Sequence, residues 1–578
     1  MKKFLSLLVF ILLASTASAS HIMGADISYE YLSPFKYKIT VKMYRDCKGI
    51  PLNSPVIKIV CPNGSNSQSL NYTRVSINDI SNYCKGDTSP CTPSNTPSSF
   101  GIEEHVFVST VDFSQSPFDI YKRAGCCEVK IAVEQCCRNG AITTISPGNF
   151  YTDAMLNVCE SGKLKNSSPV FGTYPVQYIC CNNTLSYSQG IINDNNSDSV
   201  SFELVAPLNA NNSNESYNSG FSPQRPMTVP NNSIGFKFNG ETGGFFMTPI
   251  DCSEVGIIVV QVSEWKRDST GVMKKIGYTR REMELLVKTC GYNNDPYFSG
   301  NGKQAICEGG KICFSFDVKD EPFLPKQTSL DTVTVRIINP LPGVTFTIQD
   351  STAREKSVQL CWQTKNGDAK ESPYLLTLEA RDNYCPDPRI AYKDVSIAVK
   401  PRAAAKRVYR RLLKGNLEMS SVPSDSLFGN YAYQFQVMDS LGGSNPAGLF
   451  LKRVDTFQFT LPGKYYIEHR IWNTRFSCPR TYIDTIIITP EHITSISETA
   501  MMTLSVSPNP SAGIFTIQSE LLSEQNLMAD VYSTDGKRVA TIPVRHQQID
   551  LTSLSDGIYT IDIQTLKGVL RTQVVLKH

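Results

Sequence analysis

Three aspartates, Asp317, Asp320 and Asp382, fall near expected strand ends within one β-rich stretch. Clustered carboxylates at an interdomain edge suit Ca²⁺, a hard cation that takes about six to eight oxygen ligands. Calcium on these three residues is therefore the one metal expectation the sequence offers, against the plainer reading of turn aspartates in water. Catalytic groupings are thin. His21, His105, His469, His492, His546 and His578 make up the whole imidazole supply. There is no Gly-x-Ser-x-Gly elbow and no His-Glu-x-x-His zinc helix. The pair Glu103-Glu104 has the residue types of a glycosidase, but neighbours on a strand point to opposite faces. No enzyme activity and no catalytic residue is expected.

Cysteine carries a clearer message. Of 18 cysteines, eleven precede residue 200, including the adjacent pairs Cys126-Cys127, Cys136-Cys137 and Cys180-Cys181. No two are spaced as Cys-x-x-Cys, and histidine is scarce, so zinc is disfavoured. The density implies disulfides stapling loop-rich domains in an oxidising compartment; their connectivity stays open. The N-terminus agrees. Lys2-Lys3, the apolar run Phe4–Ala14 and Ala17-Ser18-Ala19 have the charge, length and small-residue pattern of a cleaved secretory signal, residues 1–19. No later segment reaches 18 apolar residues, so no transmembrane helix is expected in the mature chain.

The elements that must position these residues are strands. Tyr37, Ile39, Val41 and Met43 alternate with polar residues, placing one apolar face on a strand. The same period recurs at 129–133, 257–262, 332–338, 374–378, 431–437, 465–471 and 482–488, with Pro, Gly, Asn and Asp between. Only Lys406–Leu413 invites a helix. The fold class is all-β, a tandem of β-sandwich domains. A chain of 578 residues, 41% hydrophobic and 19% charged with net charge +3, has apolar material for several cores and no basic bias toward nucleic acid.

The last segment is the most specific. Leu504-Ser505-Val506-Ser507-Pro508-Asn509-Pro510 leads to Gly513–Ile517, then Asp535-Gly536-Lys537-Arg538, then Leu554-Ser555-Asp556-Gly557-Ile558-Tyr559. Alternating strands with turns at Asp535-Gly536 and Asp556-Gly557 describe a small antiparallel sandwich. This order of motifs resembles the type A C-terminal sorting domain of the type IX secretion system. The resemblance implies passage across the outer membrane by the type IX secretion machinery, cleavage between about Glu498 and Thr503, and often attachment of the remainder to surface lipopolysaccharide.

A second set, His21–Ile27, Tyr44–Gly49, Cys136-Cys137-Arg138-Asn139, Asn166–Phe171 and Arg281-Glu282-Met283, resembles a group of large, Cys-rich bacterial surface proteins associated with gliding species. It implies an extracellular β architecture and no activity; the tract Asn193–Asp198 departs from the fuller Asp-Gly-Asp turn of that group. Residues 294–401 look like an immunoglobulin- or cadherin-like domain, with Cys361-Trp362 expected to anchor its two sheets. Residues 402–490 look PKD-like, with a basic run Arg402, Lys406, Arg407, Arg410, Arg411 and Lys414. The expected order is thus signal 1–19, a Cys-rich β domain 20–165, a second β domain 166–293, the Ig/cadherin-like domain, the PKD-like domain, a linker 491–503 and the sorting domain 504–578. The whole reads as a secreted, cell-surface modular binding or adhesion protein with a glycan or protein ligand. The alternatives are a structural stalk without a ligand, or a secreted hydrolase with an unrecognised site.

Overall fold

The computed structural model describes residues 22–84, 88–92, 101–146, 148–175, 178–192, 199–210, 212–231, 235–324, 332–350, 352–385, 388–424, 430–439, 444–493, 504–518, 527–565 and 568–578. The signal segment, His21, Asn193–Asp198 and the expected cleavage region lie outside them. The chain is all-β, with 55% of residues in strands and 2% in helices. It divides into two units, residues 1–402 and 403–578.

In the first unit a 12-stranded sheet is organised around the long strand Met273–Lys288. Its main path runs Gln68–Ser69, Val56–Val60, Glu128–Gln135, Phe150–Asn157, Met273–Lys288, Ile22–Ser33, Lys36–Asp46, Ile102–Asp112, Thr73–Asp79. Val255–Arg267 also pairs with Met273–Lys288, and Ser199–Leu204 pairs with Val255–Arg267 in turn. The period-two reading holds in detail: Tyr37, Ile39, Val41 and Met43 are buried and Lys36 is exposed. They pack with Ile59, Phe113, Tyr121, Val129 and Ile131 in one core, where Tyr37 and Tyr121 each meet the Phe113 ring edge to face.

The sequence reading places a boundary at 165/166, but strands from both sides share this sheet. Ile22–Ser33 and Phe150–Asn157 each pair with Met273–Lys288. The reason lies in buried polar pairs that sequence periodicity does not register. Asp26 accepts from Arg281, Arg138 grips Glu282 through Nε at 2.7 Å and Nη2 at 3.0 Å, and Asn139 donates to Glu284 at 2.8 Å. The motif residues met separately in the sequence therefore assemble along one strand. Gly24 makes this possible. At φ +145° its backbone passes so close to Met273–Lys288 that a Cβ would stand 2.0 Å from the Glu282 carbonyl oxygen.

Residues 297–400 form a two-sheet sandwich. Its sheets are Tyr297–Ser299, Lys311–Lys319, Glu355–Gln363, Val344–Asp350 and Lys303–Cys307, Ile390–Lys400, Tyr374–Arg381, Thr334–Ile337. Phe314, Phe316, Leu360, Leu376, Val395 and Ile397 fill the space between them. Cys361 does not tie the sheets together as expected. It bonds Cys313, its direct partner on the neighbouring strand of the same sheet. Consecutive strand residues face opposite ways, so Trp362 turns inward and meets Tyr374 edge on at 4.8 Å.

The second unit holds two further sandwiches. The first joins Ala405–Arg411, Asn416–Pro423, Val454–Gln458 with Ser444–Phe450, Tyr431–Met438, Gly463–Asn473, Ser477–Ile488. The expected helix at Lys406–Leu413 is instead the strand Ala405–Arg411. Alternation wins there because Ala405 is buried, Arg407 binds Asp484 at 2.6 and 3.2 Å, and Tyr409 reaches the same carboxylate at 2.6 Å. The second sandwich joins Ser505–Ser507, Ile514–Gln518, Gln548–Asp550 with Arg538–Pro543, Met528–Ser533, Gly557–Thr565, Gly568–Leu576 around Phe515, Val531, Ile549, Ile561 and Val574. Asp535-Gly536 makes the expected hairpin turn, with Gly536 at φ +79°. Gly557, by contrast, begins a strand, and Asp556 before it accepts from the His578 amide at 2.9 Å.

Candidate functional site

The residues expected to do chemistry are not brought together. Asp317 is exposed on Lys311–Lys319, whereas Asp320 and Asp382 are buried. The Asp382 carboxylate accepts from Asn293 Nδ2 at 2.9 Å and from the backbone amides of Tyr384 and Arg389. Among the described residues no group of three His, Cys, Asp or Glu side chains stands close enough to hold a metal ion. Glu103 and Glu104 serve different partners: Glu103 takes Arg45 and His105, Glu104 takes Lys42 and Asn78. The basic run of 402–414 is likewise divided, since Arg407 is spent on Asp484 and Arg410 stands 3.5 Å from Asp530.

A site that sequence reasoning did not find lies in the first unit. Three segments far apart in the chain enclose a cavity of about 320 Å³. Asp79–Asn82 supplies one wall, Tyr174 and Pro175 with Tyr178–Tyr187 a second, and the strands bearing Arg336, Glu379, Arg381 and Tyr392 the third. The first wall is fixed to the third by the disulfide Cys84–Cys385, by Asn82 donating to the Pro388 carbonyl at 2.8 Å, and by Arg381 donating to the Asn82 side chain. Strand register builds the third wall: Glu379 pairs with Arg336 on one neighbouring strand and with Tyr392 on the other, so the three side chains share one face of the sheet.

The lining combines tyrosine rings with charged groups. Tyr174, Tyr178, Tyr187 and Tyr392 border the space. Arg336 clasps Glu379 at 2.7 and 3.0 Å. Arg389 is the unusual member. Its side chain is 6% exposed, its Nε has no hydrogen-bond acceptor, and Asp295 Oδ1 is 3.8 Å away, beyond hydrogen-bond reach. Among the described residues, the one hydrogen-bond partner of its guanidinium is distant, Nη2 donating to the Asn293 carbonyl at 3.5 Å. Burial pushes the Asp295 carboxyl up to about 6, with Arg389 acting in the opposite direction. A buried guanidinium so poorly satisfied is costly unless something else accepts from it. The only sequence signal for this site is the placement of Cys84 and Cys385, whose pairing spans 301 residues.

Among solved structures the chain is similar to titin domains A168–A170 (10% identity, TM-score 0.22, 56% of this chain and 99% of that one covered). It is also similar to the mouse nectin-like molecule 4 ectodomain Ig1–Ig3 (9%, 0.18, 54% and 96%) and the ICAM-5 D1–D4 ectodomain fragment (8%, 0.21, 80% and 99%). No curated protein matches the chain in sequence. No helix among the described residues is long and apolar enough to cross a membrane. Residues 505–577 match the family described as the secretion system C-terminal sorting domain. That match coincides with the last sandwich, whose strands run from Ser505 to Leu576. The chain thus ends in a type IX secretion sorting domain, which marks it as a protein sent by that machinery to the cell surface or beyond.

Proposed function

We propose that this exported protein is a binding or adhesion protein of the cell surface, and that its working part is the first unit rather than the sorting domain. The observation that carries this reading is the tyrosine-lined cavity with the under-satisfied, buried Arg389 on its wall. Ligand sites are concave, largely apolar spaces with a few convergent polar groups, and rigid sandwiches commonly present such sites between their loops. The ligand would be a glycan or a protein of the cell surface or its surroundings, with lipopolysaccharide one source of glycan. Binding without bond-making fits the lining, because Glu379 is held by Arg336, and Asp79 accepts from Ser89 and the Ser81 amide. A stalk without a ligand would have no use for a buried arginine facing a cavity.

The test is binding of the purified secreted chain to arrays of bacterial surface glycans and surface proteins. Tyr174, 45% exposed at the rim, can be changed with little effect on the fold. Tyr174→Ala is expected to lower binding about tenfold, the scale of one well-placed ring. Binding that is unaffected by this change would put the ligand elsewhere, and no binding to any array would favour the stalk.

A further inference from the structure

We propose that the cavity takes an acidic saccharide, a sugar unit bearing a carboxylate, and that Arg389 together with Arg381 receives that carboxylate. The inference rests on the reading of the cavity as a binding site and adds the class of ligand.

The charge arrangement is the first argument. Three arginines line the space, yet only one is fully matched, Arg336 by the two oxygens of Glu379. The side-chain partner of Arg381 is the neutral amide of Asn82. Arg389 has no acceptor for its Nε and a carboxylate only at 3.8 Å. A guanidinium offers its donors as a planar fork that fits a carboxylate in two-point contact, and the bond is stronger than one to a neutral oxygen. Two arginines thus have donors to spare on one small cavity. The remaining acids do not fill the need: Glu379 is taken, Asp79 is exposed and held by Ser89 and the Ser81 amide, and Asp295 is too far for a hydrogen bond.

The second argument is shape and surface. Four tyrosines give apolar ring faces with polar tips, the kind of surface on which the C–H face of a pyranose can lie. Asn183 adds an amide group at the same space, suited to a neighbouring hydroxyl. A volume of about 320 Å³ is at the small end of ligand pockets, which run from ~300 to ~1,000 Å³. It suits one or two sugar rings at a chain end. An extended peptide would need a longer groove.

The probes are uronate disaccharides (galacturonate, glucuronate and mannuronate), their neutral parent disaccharides, and an Asp-Asp dipeptide, each titrated calorimetrically into the full secreted chain. The expected result is binding of at least one uronate disaccharide at least tenfold tighter than its neutral parent. Arg389→Gln should abolish that preference, and Arg389→Lys should keep part of it. If Arg389→Gln fails to fold, Arg381→Gln carries the same test, with the preference for the uronate over its neutral parent reduced severalfold. Equal or tighter binding of the neutral parents, reduced by Tyr174→Ala, would overturn the acidic class while leaving the cavity as a binding site. Tighter binding of the dipeptide would overturn the saccharide. No binding of any probe, together with a silent Tyr174→Ala on the surface arrays, would overturn both readings.

Discussion

Arg281 donates to a single carboxylate oxygen of Asp26, from Nη2 at 2.7 Å and from Nε at 3.1 Å, across two paired strands that are 255 residues apart in sequence. Both side chains are buried, and the ensemble is closed by Tyr44 donating to the same oxygen at 2.8 Å and by Arg281 Nη1 donating to the Thr173 carbonyl at 2.8 Å. Removing one member of a buried ion pair strands the other, at a cost of about 3–5 kcal/mol. Asp26→Ala is therefore expected to cost about that much, read as faster hydrogen exchange in both Ile22–Ser33 and Met273–Lys288. The double change Asp26→Leu with Arg281→Met should recover a large part of the loss.

The disulfide Cys84–Cys385 holds a wall of the cavity. Losing a native disulfide typically costs about 2–5 kcal/mol. Replacing both cysteines by serine is expected to raise hydrogen exchange around residues 79–84, 382–385 and 388–390 and to weaken ligand binding at least tenfold. The core strands around Tyr37 and Phe113 should remain protected as before.

His469 offers a pH test in the second unit. Its fully buried ring is stacked between Phe435 at 4.4 Å and Tyr482 at 5.9 Å, and neither ring nitrogen has a hydrogen-bond partner. Burial lowers its pKa from 6.5 to about 4. The folded state therefore keeps the ring neutral where the unfolded chain protonates it. Stability is full above pH 6.5 and falls as pH drops from 6.5 toward 4, by about 1.4 kcal/mol per unit at most. His469→Phe should flatten that fall, measured by exchange in Gly463–Asn473 corrected for intrinsic rates. An unchanged pH dependence would show that the fall arises elsewhere.

Glu284 behaves in the opposite sense. It is buried on the central strand, with Asn139 on one oxygen and no hydrogen bond to the other, and burial raises its carboxyl to about 8. The fold holds the proton that the unfolded chain loses near 4.5, so this group's contribution is fullest below pH 4.5 and declines as pH rises to 8. Glu284→Gln should make the first unit more stable than the unmodified chain at pH 8 and about equal to it at pH 4, in urea unfolding at the two pH values.

The strands were legible because one apolar face per strand writes period two into the residues, as at Tyr37–Met43 and Tyr465–Ile471. The sorting domain was legible because its turns and strand order recur as local motifs. The shared sheet was not legible. It depends on Asp26, Arg138 and Asn139 finding Arg281, Glu282 and Glu284 more than 140 residues away, and polar residues in a buried strand interrupt the very pattern used to find strands. The same limit applies to Lys406–Leu413, where charged residues concealed a strand. The cavity was hidden for a related reason: Asn82, Tyr174 and Arg389 belong to three distant segments, joined by a disulfide whose pairing cannot be read from spacing.

The central claim is that the chain is exported through its last domain and works without it. Mass spectrometry of both ends of the mature protein, after fractionating the producing cells, tests this most directly. A surface or medium form that begins at Ser20 and ends between about Glu498 and Thr503 is the predicted result. A periplasmic form that keeps His578 would contradict the account.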